Sequence, residues 1–171
     1  MYQCYVSGTG SFVPEKRLTN FDLEKLVDTS DEWIRQRTGI SERRVVVEGE
    51  ATSDLAVKAA ERALAAAEMD PKQIEAVVLC TVTPDTYMPA GAVYVQKRLG
   101  LSGCAAFDLS AACTGFVYGP AVATAFVQSG MYQHVLVIGA ETLSRVVDYA
   151  DRGTCILFGD GAGAAVYSRA E

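Results

Sequence analysis

The stretch Phe107-Asp108-Leu109-Ser110-Ala111-Ala112-Cys113-Thr114-Gly115-Phe116, which continues as an apolar run to Gly130, decides how the chain folds. Residues 105–109 have the short apolar character of a buried strand. From Cys113 the pattern lengthens into a helix carrying Val117, Ala121, Val122, Ala125, Phe126 and Val127. Cys113 therefore falls at a strand-to-helix turn. Such a turn aims unpaired backbone N–H groups and the positive end of the helix dipole at the first side chains, which favours a thiolate and hence a nucleophile. The helix has no charged residue before its end and few polar ones (Thr114, Thr124, Gln128), so the pattern predicts burial on nearly all sides, with the N-terminus inside the protein. Spacing alone also suits a small hydrophobic residue at a crowded turn, because free cysteine is among the most buried residue types.

Working outward, residues 74–82 predict a strand whose centre, Ala76-Val77-Val78-Leu79, is continuously apolar, as in a strand covered on both faces. Cys80 near its end is the rival nucleophile. It ranks below Cys113 because Pro84 and Asp85 intervene before any helix. Pro89 can start a helix running through Val93, Tyr94 and Leu99 to a C-terminal Gly100. Residues 53–69 are amphipathic, with Leu55, Ala56, Ala59, Ala63 and Leu64 on one side, Lys58, Glu61, Arg62 and Glu68 around the other, and Asp70-Pro71 as the stop. Residues 4–10 predict a first strand, and a short helix follows from Asn20. Thr29-Ser30-Asp31-Glu32 has the Thr-x-x-Glu spacing of a capping box, with Gly39 placed to end the helix. Trp33 and Arg37, four apart, share a helix face; on spacing alone Trp33 is an ordinary core aromatic.

Downstream, residues 134–139 predict another buried strand, with His134 at its entrance read as a surface residue and not a base. Residues 140–153 predict a long irregular connection carrying Arg145, Asp148 and Arg152. The glycine cluster of residues 156–167 superficially suggests a nucleotide loop. A dinucleotide fingerprint needs its glycines to open a helix, whereas these lead into a strand, so a bulge or hairpin is expected. Strands alternating with helices predict an α/β layered architecture around a mostly parallel buried sheet, with the ligand outside the strand ends.

A chain of 171 residues, 50% hydrophobic, suits one domain of ordinary size and excludes a disordered polypeptide. No apolar run reaches the ~20 residues of a membrane span, and the first residues lack a basic region followed by an apolar one, so the expectation is a cytoplasmic protein with no membrane contact. Five scattered cysteines without a C-x-x-C pair, and a single histidine, suggest neither a disulfide framework nor a metal site. A net charge of −6 argues against nucleic-acid binding, although Arg35, Arg37, Arg43 and Arg44 form a local basic cluster that could hold a phosphate or simply be solvated.

Thr29-Ser30-Asp31-Glu32-Trp33-Ile34 with Arg37-Thr38-Gly39-Ile40, then Ala111-Ala112-Cys113-Thr114-Gly115-Phe116, then Asp151-Arg152-Gly153-Thr154 and Phe158-Gly159-Asp160-Gly161-Ala162-Gly163-Ala164 together resemble the 3-oxoacyl-[acyl-carrier-protein] synthase III family. The resemblance covers the whole chain, which corresponds to about the first half of that family's length. It implies a thiolase-like layered fold (alpha-beta-alpha-beta-alpha) of two similar halves, residues 1–171 being the first, assembled as a homodimer. It further implies condensation of a short acyl group from acyl-coenzyme A with malonyl-acyl carrier protein, without a cofactor, and with Cys113 holding the acyl group as a thioester. Residue by residue, Trp33 matches a tryptophan that stacks on the adenine of coenzyme A, Arg152 an arginine on the opposite face, Arg37 a phosphate contact, and Thr29 and Thr38 polar neighbours. Leu143 and Phe158 fall near the acyl pocket, and Met88 matches a position lining the pocket of the neighbouring subunit. The family's active-site histidine and asparagine come from its second half, and His134 matches neither, so this chain by itself is expected to lack condensation activity. The alternatives are a thiolase-fold starter synthase of polyketide or secondary metabolism, a non-catalytic half of a dimer, and a cysteine hydrolase, which would need a nearby base.

Overall fold

The computed structural model describes residues 1–170. In chain order the elements are β1 (Cys4–Phe12), β2 (Arg17–Thr19), α1 (Asn20–Leu23), α2 (Asp31–Thr38), β3 (Glu42–Arg44), α3 (Thr52–Ala66), β4 (Ala76–Cys80), α4 (Gly91–Arg98), β5 (Ala105–Leu109), α5 (Gly115–Ser129), β6 (His134–Thr142) and β7 (Asp160–Arg169). They form two compact units. The first comprises Met1–Phe12, Ala51–Glu141 and the chain from Ala162 onward; the second comprises Val13–Glu50 and Thr142–Gly161.

The first unit is built on a five-stranded sheet of order β1-β7-β6-β4-β5. At its centre β4 runs parallel to both neighbours, Ala76 pairing with Ala105 on one side and Val135 on the other. All five β4 residues are buried, as their continuous apolarity predicts, and each Val or Leu so placed contributes about 1.5–3 kcal/mol of transfer free energy. On one face of the sheet Ala76, Val78, Cys80, Val135 and Val137 meet Ala123 and Val127 of α5. The predicted apolar stripe of α3, Leu55, Ala56, Ala59, Ala63 and Leu64, is buried, and α3 packs along β1.

The sheet is mixed, parallel about β4 but with β1 antiparallel to β7. Alternation of strand and helix constrains direction only for strands joined through a helix, as β4 to β5 through α4 and β5 to β6 through α5. β1 and β7 come together from opposite ends of the chain. The glycines of the 156–167 cluster do lead into a strand, Gly161 and Gly163 lying within β7 itself. The irregular register, however, sits across the ladder in β1, between Val6 and Gly8.

The second unit holds the β2–β3 ladder, α1, α2 and a core of Leu23, Ile34, Cys155 and Ile156, with Trp33 and Tyr149 packed at its margin. The expected capping box at Thr29 does not form. Ser30 is the N-cap, its hydroxyl accepting from the Trp33 N–H at 3.1 Å, so the third helical position is Trp33 and no glutamate can reach back. The frame is one residue later than the spacing implied, and the Thr29 hydroxyl is left buried without a partner. Gly39 does end α2, in the left-handed conformation (φ 73°) that favours glycine. A reciprocal box forms instead at Thr19 and Asp22, where α1 begins. Residues 140–153 are more ordered than expected, since β6 continues to Thr142 and a 3-10 turn follows at Leu143–Arg145.

Candidate active site

In the first unit β5 ends at Leu109 and α5 begins at Gly115, with a single 3-10 turn at Ala112–Thr114 between them. Cys113 is the middle residue of that turn, and it is exposed. The residue before it, Ala112, has φ 46°, a left-handed conformation that costs an L-residue about 1–2 kcal/mol. The strain is held by Thr114, whose N–H and hydroxyl both donate to the Ala111 carbonyl, at 3.1 and 2.7 Å. A sharp, strained strand-to-helix turn is the device by which folds present a nucleophile at the end of a sheet.

Helix α5 is not buried on nearly all sides, nor is its N-terminus enclosed within this chain. Its buried residues are Gly115, Gly119, Ala123 and Val127, a single stripe at four-residue spacing. Phe116, Val117 and Tyr118 in the first turn are 43%, 65% and 52% exposed. An apolar run shows what a helix can bury, not how many of its faces the same chain covers. The buried stripe lies very close to the sheet. A Cβ at Gly119 would stand 2.7 Å from Cys80 Sγ and 2.8 Å from Val137 Cγ1, so only glycine lets α5 approach this far.

The remaining thiols are poor nucleophiles. Cys80 is buried, and burial is the main cause that pushes its pKa up to about 11. Burial also raises Cys4, Cys104 and Cys155. His134 is half-buried and not a surface residue, with Nδ1 2.9 Å from the Ser168 hydroxyl, and burial lowers its pKa. It opens β6, whereas Cys113 follows the end of β5. Because both strands run parallel to β4, the two residues belong to opposite ends of the sheet, roughly 16 Å apart for a five-residue strand.

Two carboxylates that the sequence reading missed organise the end of the sheet at which Cys113 lies. Asp108, within β5, accepts from the N–H groups of Gly91 and Ala92 at 2.7 and 2.8 Å and so caps α4. Glu141 accepts from the Thr81 hydroxyl (3.2 Å), the N–H groups of Val82 (2.9 Å) and Thr83 (3.1 Å), and the Thr83 hydroxyl. Between these supports lies a cleft of about 370 Å³ lined by Thr81, Val82, Tyr87, Phe107, Asp108 and Ser110. The available signal was an aspartate inside an otherwise apolar strand. Met88, on the same β4–α4 connection, is 89% exposed.

In the second unit three of the expected ligand residues come together. The Arg37 guanidinium carbon lies 4.5 Å from the centre of the Trp33 ring and that of Arg152 lies 4.8 Å from it. Arg152 also donates to the Asp28 carbonyl at 2.9 Å. Its backbone sits in a turn tied by Asp151, which accepts from the Gly153 N–H (2.8 Å) and the Thr154 hydroxyl (2.6 Å). The stack is closed. A flat ring inserted between indole and guanidinium needs roughly 7 Å, two contacts of about 3.5 Å, so Arg152 would withdraw by about 2 Å to admit one. The Thr38 hydroxyl donates to the Ile34 carbonyl (2.7 Å) and accepts from the Ile40 N–H (3.0 Å), which commits it to ending α2. Leu143 starts the 3-10 turn that Asp160 fixes through the Ser144 N–H at 2.8 Å, and Phe158 is 37% exposed.

Residues 107–171 match the family described as 3-Oxoacyl-[acyl-carrier-protein (ACP)] synthase III. The Beta-ketoacyl-[acyl-carrier-protein] synthase III of Caldanaerobacter subterraneus subsp. tengcongensis is 58% identical over 166 residues, covering 97% of this chain and 50% of that protein. The crystal structure of 3-oxoacyl-[acyl-carrier-protein] synthase III from Aquifex aeolicus superposes with TM-score 0.96 at 51% identity, over 99% of this chain and 55% of that one. The priming beta-ketosynthase of the R1128 polyketide biosynthetic pathway gives the same TM-score at 40% identity, over 99% of this chain and 51% of its own. The chain thus has the thiolase-like α/β fold that its motifs implied, and it spans about half the length of the curated relatives it matches. Among the described residues no helix is long and apolar enough to cross a membrane.

Proposed function

Because this chain belongs to the 3-oxoacyl-[acyl-carrier-protein] synthase III family, with relatives 54–58% identical along 94–97% of its length, we propose that it is the acyl-accepting half of a condensing enzyme that starts fatty-acid synthesis. The Cys113 sulfur attacks the carbonyl carbon of a short acyl-coenzyme A; a new C–S bond forms, the old one breaks, and coenzyme A leaves as its thiol. Malonyl-acyl carrier protein then loses carbon dioxide, its carbanion attacks the Cys113 thioester, and the cysteine thiolate is released with the 3-oxoacyl product. Trp33 and Arg152 hold the adenine between them, Arg37 meets a phosphate, and Thr29 and Thr38 flank the site. Leu143 and Phe158 bound the acyl group, and Met88 lines the acyl pocket of the neighbouring subunit. Acyl-coenzyme A is a substrate, no separate cofactor takes part, the assembly is a homodimer, and the setting is the cytoplasm.

The observation that supports this most is the placement of Cys113, an exposed thiol on a strained elbow at the start of a fifteen-residue helix, among cysteines whose pKa values burial raises. The chain's one histidine is bonded to Ser168, and its one asparagine, Asn20, is wholly buried. Neither can serve the carbanion, and removing a single preorganised donor typically lowers an enzyme's rate ~10²- to 10³-fold. Residues 1–171 thus act as one half-domain that acylates, while condensation draws its donors from outside them. Mass spectrometry after acyl-coenzyme A treatment tests this: one acyl increment on Cys113 is expected, and an acyl group on Cys80, or one retained in Cys113→Ala, overturns it. The likeness to the polyketide priming ketosynthase supports a second reading, a starter synthase of secondary metabolism. Competition among acyl-coenzyme A and carrier-protein partners separates the two.

A further inference from the structure

The Trp33–Arg152 stack stands on two separate pieces of the second unit, α2 and the turn of residues 151–155, and one buried pair of polar side chains is bonded to both. Asn20 is wholly buried at the start of α1. Its Nδ2 donates to Asp31 Oδ1 at 2.8 Å and to the Ile40 carbonyl at 2.7 Å. Asp31 is the first residue of α2 and Ile40 lies just past its last, so one amide clips both ends of the helix that carries Trp33 and Arg37. Asn20 Oδ1 accepts from Arg43 Nη1 at 2.9 Å, and Nη2 of the same guanidinium donates to the Ile156 carbonyl at 2.7 Å. Ile156 directly follows the turn, and its side chain joins the core that buries Ile34 of α2.

Arg43 is an expensive residue for this place. It is 6% exposed, both of its bonds go to neutral oxygens, and its Nε has no partner. Burying a cation in that way is unfavourable, and a well-packed apolar side chain of similar volume is often as stable or more so. What the guanidinium supplies is geometry, a rigid planar fork that holds two acceptors at a fixed separation, which a lysine ammonium does not do.

We propose that Asn20 and Arg43 are positioning residues for the coenzyme A clamp, setting the spacing of α2 against the Arg152 turn so that a ring can enter between Trp33 and Arg152. The proposal rests on the coenzyme A reading of that site. Neither residue touches the ligand; both act through the backbone that carries the residues that do.

Trp33 is the chain's one tryptophan, so its fluorescence reports on the clamp directly. Three variants of the 171-residue chain are compared with the wild type: Arg43→Lys, which keeps the charge and loses the fork, Asn20→Ala, and Leu23→Ala, which removes packing from the same core without touching the relay. Two readouts are taken, acrylamide quenching of Trp33 without ligand and the Trp33 response to coenzyme A. In Arg43→Lys the quenching constant should change and coenzyme A affinity should fall about ten-fold or more, as metal affinity does when the outer hydrogen-bond support of a ligating side chain is removed. Leu23→Ala should bind as the wild type does. The proposal is overturned if Arg43→Lys matches the wild type in both readouts, or if Leu23→Ala loses as much affinity as Arg43→Lys, which would make the relay mere stability. If the wild type itself shows no response to coenzyme A, the reading of the site fails, while the acrylamide arm still decides whether Arg43 sets the spacing around Trp33.

Discussion

Alkylation separates the elbow thiol from its buried rival by a margin that the structure sets. Cys80 has a pKa near 11 and is 5% exposed. At pH 8 about one molecule in a thousand carries the Cys80 thiolate, against about one in four for free cysteine with a pKa of about 8.5. The thiolate is the reactive form, so ionisation alone makes Cys80 more than ~100-fold slower than free cysteine, before α5 restricts access to it. Cys113 is exposed on its turn. A time course with limiting iodoacetamide at pH 8, read by peptide mass spectrometry, should show Cys113 labelled first and Cys80 essentially unlabelled, and unfolding in urea should make all five cysteines reactive. Going from pH 8 to 9 should speed Cys80 about ten-fold and still leave it last. Equal native labelling of Cys80 and Cys113 would refute the reasoning, because it would mean that α5 does not seal β4 and that the elbow is not where the structure puts it.

Two further perturbations test the supports. Gly119→Ala gains about 1 kcal/mol of helix propensity, but its methyl would stand 2.7 Å from Cys80 Sγ and 2.8 Å from Val137 Cγ1, an overpacking that typically costs about 1–3 kcal/mol. The urea midpoint should therefore fall and partly recover in the double variant with Cys80→Ala; a midpoint at or above wild type would show that α5 has room to spare. The Asp22 carboxyl is held down at about 2, first by the Thr19 hydroxyl and then by Lys25. Its folded pKa lies below the unfolded value of about 3.9, so its stabilisation is present above pH 4 and lost as the pH falls towards 2. Asp22→Asn should be less stable than wild type at neutral pH and converge with it by about pH 2, and a difference independent of pH would contradict the cap.

How much of this was legible in the sequence depended on whether a signal was local. The strand at residues 105–109, the turn at Cys113, the stripe of α3 and the stop at Gly39 are each written in a few adjacent residues, and all are found. The cap of α2 was misplaced because Thr29 and Ser30 are chemically alike and only backbone angles choose between them; Ser30 is extended at φ −143°, ψ 156°. The antiparallel β1 joins β7 from the far end of the chain, a pairing no window of residues contains. For the same reason the stack around Trp33 was legible only in part. Trp33 and Arg37 are one helical turn apart, whereas Arg152 and the Arg43–Asn20 relay are brought in from other segments.

The Trp33–Arg152 stack joins a rigid back to a weakly latched front, and that division suits the reversible binding proposed for it. Behind α2, the Asn20 and Arg43 bonds are buried, where an unmade hydrogen bond costs about 1–3 kcal/mol or more, so the helix and the turn hold their spacing. In front, Arg152 is held over Trp33 by a stacking contact worth about 0.5–1 kcal/mol at exposed sites, by one bond to the Asp28 carbonyl, and by an ion pair with the fully exposed Asp28 carboxylate at 3.8 Å. Exposed pairs of that kind contribute little. Moving the Arg152 side chain aside therefore gives up little, and a flat ring that enters restores the lost stacking on both of its faces. The opening motion then belongs to one arginine side chain, and the backbone on either side of the gap stays where the relay holds it.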